Sequence, residues 1–423
     1  MYDKKLLHKI LKEYTLVEII KKLFKKIFLN FKIFLINVLN TILGLIDKKI
    51  NKQNNYWIFP VYFIGKGHFS DSMLAVFNVV KSDEMIKKII LTKDVSVSIE
   101  GKNIHIIPMN SLKAIYYLLK SNIIFVQHSL WLDLSKSIFQ IKEPLDRKII
   151  NLWHGIALKD ISHKNTGIYN KRAIKEMLNY RVIASSEQDL FNMQKAFHIT
   201  PKGNFWLTGL PRNDFLVMQE DNLPSIYKKE LIYLKELVKE KKLILYAPTY
   251  REKNVGGADY KFSKKELEKL NAFLYKQNAV LGVRYHSYLS PTDYSDLTEL
   301  SNVIDLSSSI ISDVRMIIRE SDIIITDYSS LFIDACYIDK KCISFAYDLR
   351  HYMDTQRGFF YPFEDIFPGP ICETFESLLK KLEDYEIGKD EKEKIDKFKK
   401  IFFEYLDSNN SQRVVDKVKG LLG

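Results

Sequence analysis

The sequence predicts an α/β protein with two doubly wound domains that face each other and a basic helical arm at the N-terminus. Short apolar runs alternate with helical stretches twice along the chain, and a charged, strand-poor segment separates the two series. At 423 residues the chain is too long for one ordinary core, which also favours two domains. We place the arm at 1–54, the domains at 55–215 and 241–423, and the connection at 216–240.

The N-terminal arm carries most of the positive charge. Residues 1–52 hold twelve lysines and four acidic residues, a net charge of +8. This is two thirds of the formal net charge of +12. Within Ile27–Ile46, polar residues recur on one helical face and the rest is mainly Ile, Leu, Phe and Val. A helix of this kind lies in the headgroup plane and attracts an anionic membrane surface. A membrane span and a helical hairpin packed on the protein's own body are the alternatives.

Composition and motifs argue against several other classes of protein. The lysines of the arm are interleaved with aliphatic residues rather than exposed aromatics, so nucleic acid is not an expected partner. Cys336, Cys342 and Cys372 have no spacing typical of zinc sites or disulfide frameworks, and we expect buried thiols in a reducing cytosol. The sequence has no P-loop, dinucleotide fingerprint, nucleophile elbow or HExxH motif. We therefore expect no metal and no required cofactor.

The alternating pattern predicts the strands and helices of both domains. The first series has seven apolar runs typical of buried parallel strands, namely Trp57–Phe63, Ile89–Leu91, Ile104–Pro108, Ile123–Gln127, Ile149–Trp153, Val182–Ser185 and Phe205–Thr208. Helices are predicted between them at Asp71–Lys81 and Ser111–Leu119. The second series has strands at Leu243–Pro248, Val280–Tyr285, Val303–Asp305, Ile323–Thr326 and Cys342–Ala346 and helices at Lys264–Gln277, Ser312–Arg319 and Ser330–Ile338. The charged tail from Glu373 to Leu422 is predicted to be helical.

Four segments place reactive side chains just after a predicted strand, where ligands of doubly wound sheets bind. The first is 149–159, in which His154 and Gly155 follow the strand directly. An accessible imidazole suits general-base chemistry near neutral pH, and the glycine allows close approach of a ligand. A histidine that only hydrogen-bonds its own turn is the alternative.

The second and third segments supply arginines and another histidine. Arg251 follows the strand of 244–251, and its planar guanidinium matches phosphate oxygens. A surface arginine paired with nearby acidic residues is the alternative. Arg284 and His286 follow the next strand, and either could stabilise negative charge on a diphosphate.

The fourth segment, 321–334, carries the strongest signal. A buried strand ends at Thr326-Asp327, and Ser329 and Ser330 stand where a helix begins. Serines at a helix start leave backbone N–H groups pointing outward, and the helix dipole adds to their attraction for an anion. A simple N-cap without a ligand is the alternative. Asp327 either orients the turn or binds a ligand hydroxyl.

Taken in order, these blocks resemble the CDP-glycerol:poly(glycerophosphate) glycerophosphotransferases of teichoic-acid and capsule synthesis. The resemblance is carried by WHGIALK at 153–159, GLPRND at 209–214, ILYAPTYR at 244–251, RYH at 284–286 and SDIIITDYSSLFID at 321–334. It implies a GT-B fold, with two facing Rossmann-like domains and the CDP donor held mainly by the C-terminal one. It also implies peripheral attachment to the cytoplasmic face of the cell membrane.

The resemblance further implies roles for individual residues. It makes His154 the expected general base, His286 a second catalytic histidine, and Arg251, Ser329 and Ser330 contacts of the donor diphosphate. From their places at strand ends, Arg284 and Asp327 are added to the diphosphate candidates. The acceptor-side candidates are Gly155, Lys159, Ser70 and Asp71. The sequence departs from the family pattern at Ile156-Ala157, where Thr-Pro is common.

The expected reaction is transfer of an alditol phosphate from CDP-glycerol or CDP-ribitol to a lipid-linked polymer acceptor, with release of CMP. A GT-B glycosyltransferase that uses a nucleotide sugar is the first alternative, because fold does not determine function. A non-catalytic subunit of a capsule assembly is the second. The sequence leaves open which alditol is transferred, whether one unit or many are added, and the oligomeric state.

Overall fold

Two parallel sheets, one in each half of the chain, organise the molecule. The structure, a computed structural model, describes residues 16–61, 69–94, 99–141, 146–156, 179–197, 204–249, 259–285, 295–355, 359–383 and 385–423. The first sheet has the strand order β3-β2-β1-β4-β5-β6-β7, and every described pair is parallel. Its strands are β1 (Gln53–Pro60), β2 (Lys87–Thr92), β3 (Ile104–Pro108), β4 (Ser121–Val126), β5 (Lys148–Asn151), β6 (Tyr180–Ala184) and β7 (Phe205–Leu207).

The second sheet has the order β10-β9-β8-β11-β12-β13 and is also parallel. Its strands are β8 (Lys242–Tyr246), β9 (Ala279–Val283), β10 (Val303–Asp305), β11 (Ile323–Thr326), β12 (Lys341–Phe345) and β13 (Ile371–Cys372). Both strand orders reverse direction inside the sheet, at β1/β4 and at β8/β11. These are the switch points at which such sheets bind ligands. The predicted two-sheet α/β architecture is confirmed.

The described helices alternate with the strands. They are α1 (Leu16–Asp47), α2 (Asp71–Val80), α3 (Leu112–Lys120), α4 (Leu130–Asp133), α5 (Glu187–Phe197), α6 (Asp214–Val217), α7 (Ser225–Val238), α8 (Lys264–Lys276), α9 (Ser295–Thr298), α10 (Val314–Glu320), α11 (Leu331–Tyr337), α12 (Leu349–Thr355), α13 (Phe363–Ile366), α14 (Phe375–Glu383), α15 (Lys389–Phe402) and α16 (Asn410–Gly420). Short 3₁₀ turns at Pro211–Asn213 and Glu220–Asn222 precede α7. The described helices thus cover both faces of each sheet, so the strands between them are buried and apolar.

Two strands differ most from the sequence-based prediction, while the others match to within a residue or two at each end. β1 begins at Gln53 rather than Trp57, because the polar residues before Trp57 extend the strand at an exposed end of the sheet. β13 was not predicted, since its two residues form no recognisable apolar run. It is nevertheless ordered by pairing with β12, in which Ser344 lies beside Ile371. The three cysteines are buried, as predicted.

The last helix joins the two halves. α16 follows the second sheet in the chain but packs on α2 and on the 3₁₀ turn at Pro211–Asn213. The carboxylate of Asp214 accepts hydrogen bonds from the backbone N–H groups of Asn410 (2.9 Å) and Ser411 (2.8 Å). One continuous hydrophobic cluster includes Phe59 of the first sheet, Leu243 of the second and Val414 of α16. The predicted domain division, which places residues 241–423 in the C-terminal domain, does not include this contact of α16 with the first half.

Helix α1 contacts the body through a narrow, mostly polar side. Asn40, Leu43 and Asp47 are buried at helical spacing. The Asn40 side chain accepts a hydrogen bond from the Gln140 N–H at 2.7 Å, and Asp47 forms a buried ion pair with Arg147. A search of the described helices finds none long and apolar enough to cross a membrane. Residues 1–15 of the predicted arm lie outside the described residues.

Candidate functional site

His154 projects from an unusual turn at the end of β5. Trp153 has a φ of 47° and Gly155 a φ of 146°. The backbone at both positions therefore adopts a conformation that L-amino acids rarely take. The buried Asn151 stabilises the turn, since its Oδ1 accepts a hydrogen bond from the Trp153 N–H at 2.8 Å. The result is a buried Trp153 followed by an exposed imidazole. Positive φ values outside glycine store strain that is typical of functional turns.

The His154 side chain is exposed, but two aromatic rings lie close to its imidazole. It lies between the Trp153 ring, with centroids 4.2 Å apart, and the His128 ring, with centroids 4.8 Å apart and planes inclined by 24°. Desolvation and the neighbouring His128 lower the pKa of His154 to about 3. Its Nδ1 lies 3.4 Å from the Gln127 carbonyl oxygen. An Nδ1–H that donates there leaves the Nε2 lone pair available, as a neutral base requires.

His128 and Asp133 belong to the site, and the sequence analysis missed them. The His128 Nδ1 lies 3.1 Å from Asp133 Oδ1, and the other carboxylate oxygen accepts from the N–H groups of Gln127 (2.7 Å) and His128 (2.9 Å). Asn151 donates to the His128 carbonyl at 3.0 Å and so joins the two histidine turns. His128 is the first residue after the predicted strand Ile123–Gln127. The strand-end rule that selected His154 would have selected it as well.

Asp71 lies across from this turn at the start of α2. Its φ is 62°, and its Oδ2 lies 3.4 Å from the Arg315 guanidinium and 3.9 Å from that of Arg212. Burial alone would raise the pKa of Asp71, but the two guanidinium groups hold it below its usual value. Ser70, the other acceptor-side candidate in this segment, precedes α2 without a side-chain cap bond. Asp71 is therefore an ionised, partly accessible carboxylate in a cluster of arginines.

Arg212 connects the His154 turn with the second half of the molecule. One Nη atom donates to the His154 carbonyl oxygen at 2.6 Å, and the other donates to both carboxylate oxygens of Asp334 at 2.9 Å. Asp334 is buried on α11, which begins directly after Ser330. Arg212 thus links the backbone of the His154 turn to α11, the helix that begins after the predicted diphosphate turn.

The serine turn follows β11, as predicted, but its details differ. The Oγ of Ser329 accepts a hydrogen bond from the Leu331 N–H at 3.3 Å, and Ser330 makes no side-chain cap bond. Asp327 is buried, and its Oδ1 accepts from the N–H groups of Thr249 (2.8 Å) and Tyr328 (2.6 Å). Of the two roles left open for Asp327, this geometry favours orientation of the turn.

Arg284 is engaged elsewhere. Its guanidinium donates to the carbonyl oxygens of Leu306 (2.8 Å), Ile311 (2.7 Å) and Ser312 (3.2 Å). Desolvation lowers the pKa of Arg284 to about 10. We therefore assign Arg284 to holding the 306–312 loop, which differs from the predicted diphosphate contact. His286, Arg251 and Lys159 lie outside the described residues.

The described residues contain no group of three or more His, Cys, Asp or Glu side chains that could hold a metal ion. What they do bring together is a neutral imidazole, a cluster of arginines and carboxylates, and a helix that starts at a serine-containing turn. Arginines and backbone N–H groups can bind phosphate oxygens, and an imidazole can accept a proton from a hydroxyl. These groups are suited to chemistry at a phosphate ester.

A sequence model of the family CDP-Glycerol:Poly(glycerophosphate) glycerophosphotransferase matches residues 51–420. The chain belongs to this family. Teichoic acid ribitol-phosphate polymerase TarK of Staphylococcus aureus is 33% identical over 307 residues, which cover 71% of this chain and 56% of the relative. A teichoic acid poly(glycerol phosphate) polymerase of Bacillus spizizenii is 30% identical over 69% of this chain and 74% of the relative. The family membership confirms the resemblance found in the sequence.

The structural comparison shows the fold of this family member. The wall teichoic acid polymerase TagF superposes with a TM-score of 0.73 and 23% identity, over 97% of this chain and 99% of that one. The two chains share a fold with two facing α/β units, as the predicted GT-B architecture requires. The chain spans about half the length of the first two curated relatives, 56% and 52%.

Proposed function

We propose that this protein transfers an alditol phosphate, most simply glycerol phosphate, from a CDP-activated donor to a teichoic-acid-like or capsular polymer. The observation that carries the proposal is the position of His154 in a chain that belongs to the glycerophosphotransferase family. Its side chain is exposed, desolvation and the neighbouring His128 lower its pKa to about 3, and its backbone carbonyl is linked through Arg212 to α11, the helix that follows the serine turn. Curated relatives named as polymerases of ribitol phosphate and glycerol phosphate support this substrate class.

In the proposed reaction, a terminal hydroxyl oxygen of the acceptor attacks the β-phosphorus of the CDP-alditol. The bond from that phosphorus to the oxygen shared with the α-phosphate breaks, and CMP leaves with the electron pair. His154 takes the hydroxyl proton on Nε2. The product is a phosphodiester, and the reaction depends mainly on positioning and charge stabilisation.

Ser329, Ser330 and Arg251 remain the proposed contacts of the donor diphosphate, and His286 remains a proposed second catalytic histidine. The family resemblance supports all four. The start of α11 at the serine turn adds support for the serines, because the N-terminus of a helix carries partial positive charge that attracts anions. No cofactor is part of the proposed reaction.

The test is incubation of the purified protein with CDP-glycerol or CDP-ribitol and a lipid-linked acceptor analogue. We expect CMP release that depends on the acceptor, together with a product whose mass grows by one or more alditol phosphate units. The mass series also separates addition of one unit from polymerisation. Release of UDP or GDP from a nucleotide sugar would instead identify a glycosyltransferase, and no turnover with any donor would favour an assembly subunit.

We also propose that α1 holds the protein on an anionic membrane surface at the cytoplasmic face. The side of α1 that faces the body is built on Asn40, Leu43 and Asp47, and many of the described apolar side chains of the helix are exposed. The exposed ones are Phe24, Phe28, Phe31, Phe34, Leu35, Ile36, Val38, Leu39, Ile42, Leu45 and Ile46. An exposed apolar stripe with flanking lysines binds at a lipid interface. This arrangement would bring the cleft close to a lipid-linked acceptor.

Vesicle sedimentation tests the membrane proposal. The double variant Phe28→Ser/Phe34→Ser should bind vesicles that contain phosphatidylglycerol much more weakly than wild type does. The matched control is Phe191→Ser, which removes an exposed phenylalanine from a different helix, α5. Equal binding by all three proteins would contradict the role of α1.

A further inference from the structure

The Arg212 side chain contacts both the His154 turn and helix α11. It lies in the 3₁₀ turn Pro211–Asn213, after the last strand of the first sheet. Its side chain is about nine-tenths buried between the two halves of the molecule. The contacts are a 2.6 Å hydrogen bond to the His154 carbonyl and two 2.9 Å hydrogen bonds to Asp334. A single guanidinium therefore links the predicted base to the helix that follows the serine turn.

The chemistry of this link requires arginine. A guanidinium presents several donors in a fixed plane, so it can serve a carbonyl on one side and a carboxylate on the other. The ammonium of a lysine is a point charge and cannot reproduce both sets of bonds. Gly155 shows how closely the guanidinium approaches the turn, because a Cβ at that position would lie 3.1 Å from an Nη atom of Arg212.

The Arg212 guanidinium is poorly accessible to a substrate, which argues against a role in binding one. Both Nη atoms already donate to protein acceptors, and Asp334 is buried as well. A buried ion pair contributes little net stability compared with apolar packing, but loss of one partner leaves an uncompensated charge. Such a pair fits a role in fixing the geometry between two elements.

We propose that Arg212 is a positioning residue that sets the distance between the His154 base and the donor turn at the start of α11. The inference rests on the proposed function, because it assigns these two elements to the acceptor hydroxyl and the donor diphosphate. In-line transfer requires that both be held in a fixed relation, and a displacement of about 1 Å can lower the rate about 100-fold.

The protein offers a matched control in Arg319. This residue lies on α10 and also crosses between the halves, donating to the carbonyl oxygens of Phe215 (2.7 Å) and Met218 (2.6 Å). It makes no described contact with the His154 turn or with α11. Arg319→Gln therefore removes an inter-domain guanidinium of similar kind and leaves the proposed link intact.

The experiment compares Arg212→Gln, Arg212→Lys and Arg319→Gln with wild type. We expect Arg212→Gln to lower kcat about 100-fold while the affinity for the CDP donor, measured by calorimetry, changes little. Arg212→Lys should recover only part of the rate. Arg319→Gln should lower the melting temperature and leave kcat near that of wild type. If Arg212→Gln and Arg319→Gln have the same kcat, the proposal is overturned.

A second readout does not depend on turnover. Hydrogen exchange of the amides of residues 151–156 should accelerate in Arg212→Gln and in Asp334→Asn, and stay at the wild-type rate in Arg319→Gln. The His154 pKa, followed by NMR, should rise in Arg212→Gln because a neighbouring cation that opposes protonation is lost. Unchanged exchange in Arg212→Gln and Asp334→Asn would contradict a positioning role. Absence of CMP release by wild type would refute the proposed function separately, and the exchange data would still decide the role of Arg212.

Discussion

His128 and His154 form a stacked pair, with ring centroids 4.8 Å apart and planes inclined by 24°. They come from neighbouring strands, since His128 follows β4 and His154 follows β5. Each Nδ1 faces a protein acceptor, the Asp133 carboxylate for His128 and the Gln127 carbonyl for His154. The two imidazoles therefore lie in contact, and the electrostatic influence of one on the other can be measured.

The pH dependence of transfer follows from the His154 environment. Desolvation lowers the pKa of His154 to about 3, so the base is unprotonated at neutral pH and stays so on mild acidification. A free histidine would lose activity below about pH 6.5. We expect kcat/KM for the donor to show no loss attributable to His154 between about pH 7 and pH 5. A single acid limb centred near pH 6.5 would contradict this expectation.

Removal of the second imidazole should change that profile. His128 is the second largest cause of the low His154 pKa, after desolvation, because protonating both rings of the stack is unfavourable. His128→Gln should therefore raise the His154 pKa and move the acid limb of kcat/KM to higher pH. His105→Gln is the matched control, since His105 lies near the start of β3, an edge strand of the first sheet. The same limb in both variants would argue against coupling within the pair.

Gly155 is expected to tolerate no side chain. Its φ of 146° disfavours an L residue, and a Cβ would lie 3.1 Å from the Arg212 guanidinium. Gly155→Ala should destabilise the fold by about 1–3 kcal/mol and lower transfer activity as well. Gly420→Ala on α16 is the control, because a Cβ there has nothing within 4 Å and alanine favours helix. Denaturant unfolding compares the two, and equal free energies of unfolding would contradict the role assigned to Gly155.

Much of the fold could be predicted because buried parallel strands are nearly continuous apolar runs. Ile123–Gln127 and Ile323–Thr326 are examples, and both lie within a residue or two of the observed strands β4 and β11. β13 could not be predicted in this way, since two residues carry no periodicity. Its order comes from pairing with β12, which is a tertiary effect.

Site residues could be predicted from the sequence only where they directly follow a strand. His154 and the serine turn were found because each follows an apolar strand directly. The contacts of Arg212 could not be predicted from the sequence, since its partners His154 and Asp334 lie 58 and 122 residues away in the chain. Arg284 was predicted to bind a diphosphate because it follows a strand. In the structure it instead donates hydrogen bonds to carbonyl oxygens of the 306–312 loop.

The most direct test of the account is CMP release by His154→Ala with a CDP-alditol donor and a lipid-linked acceptor. We expect wild type and His105→Ala to release CMP at similar rates, and His154→Ala to be slower by about 100- to 10,000-fold. Donor affinity measured by calorimetry should be the same in all three, because the imidazole acts on the acceptor hydroxyl. Turnover of His154→Ala at the wild-type rate would contradict the central claim that this imidazole is the base.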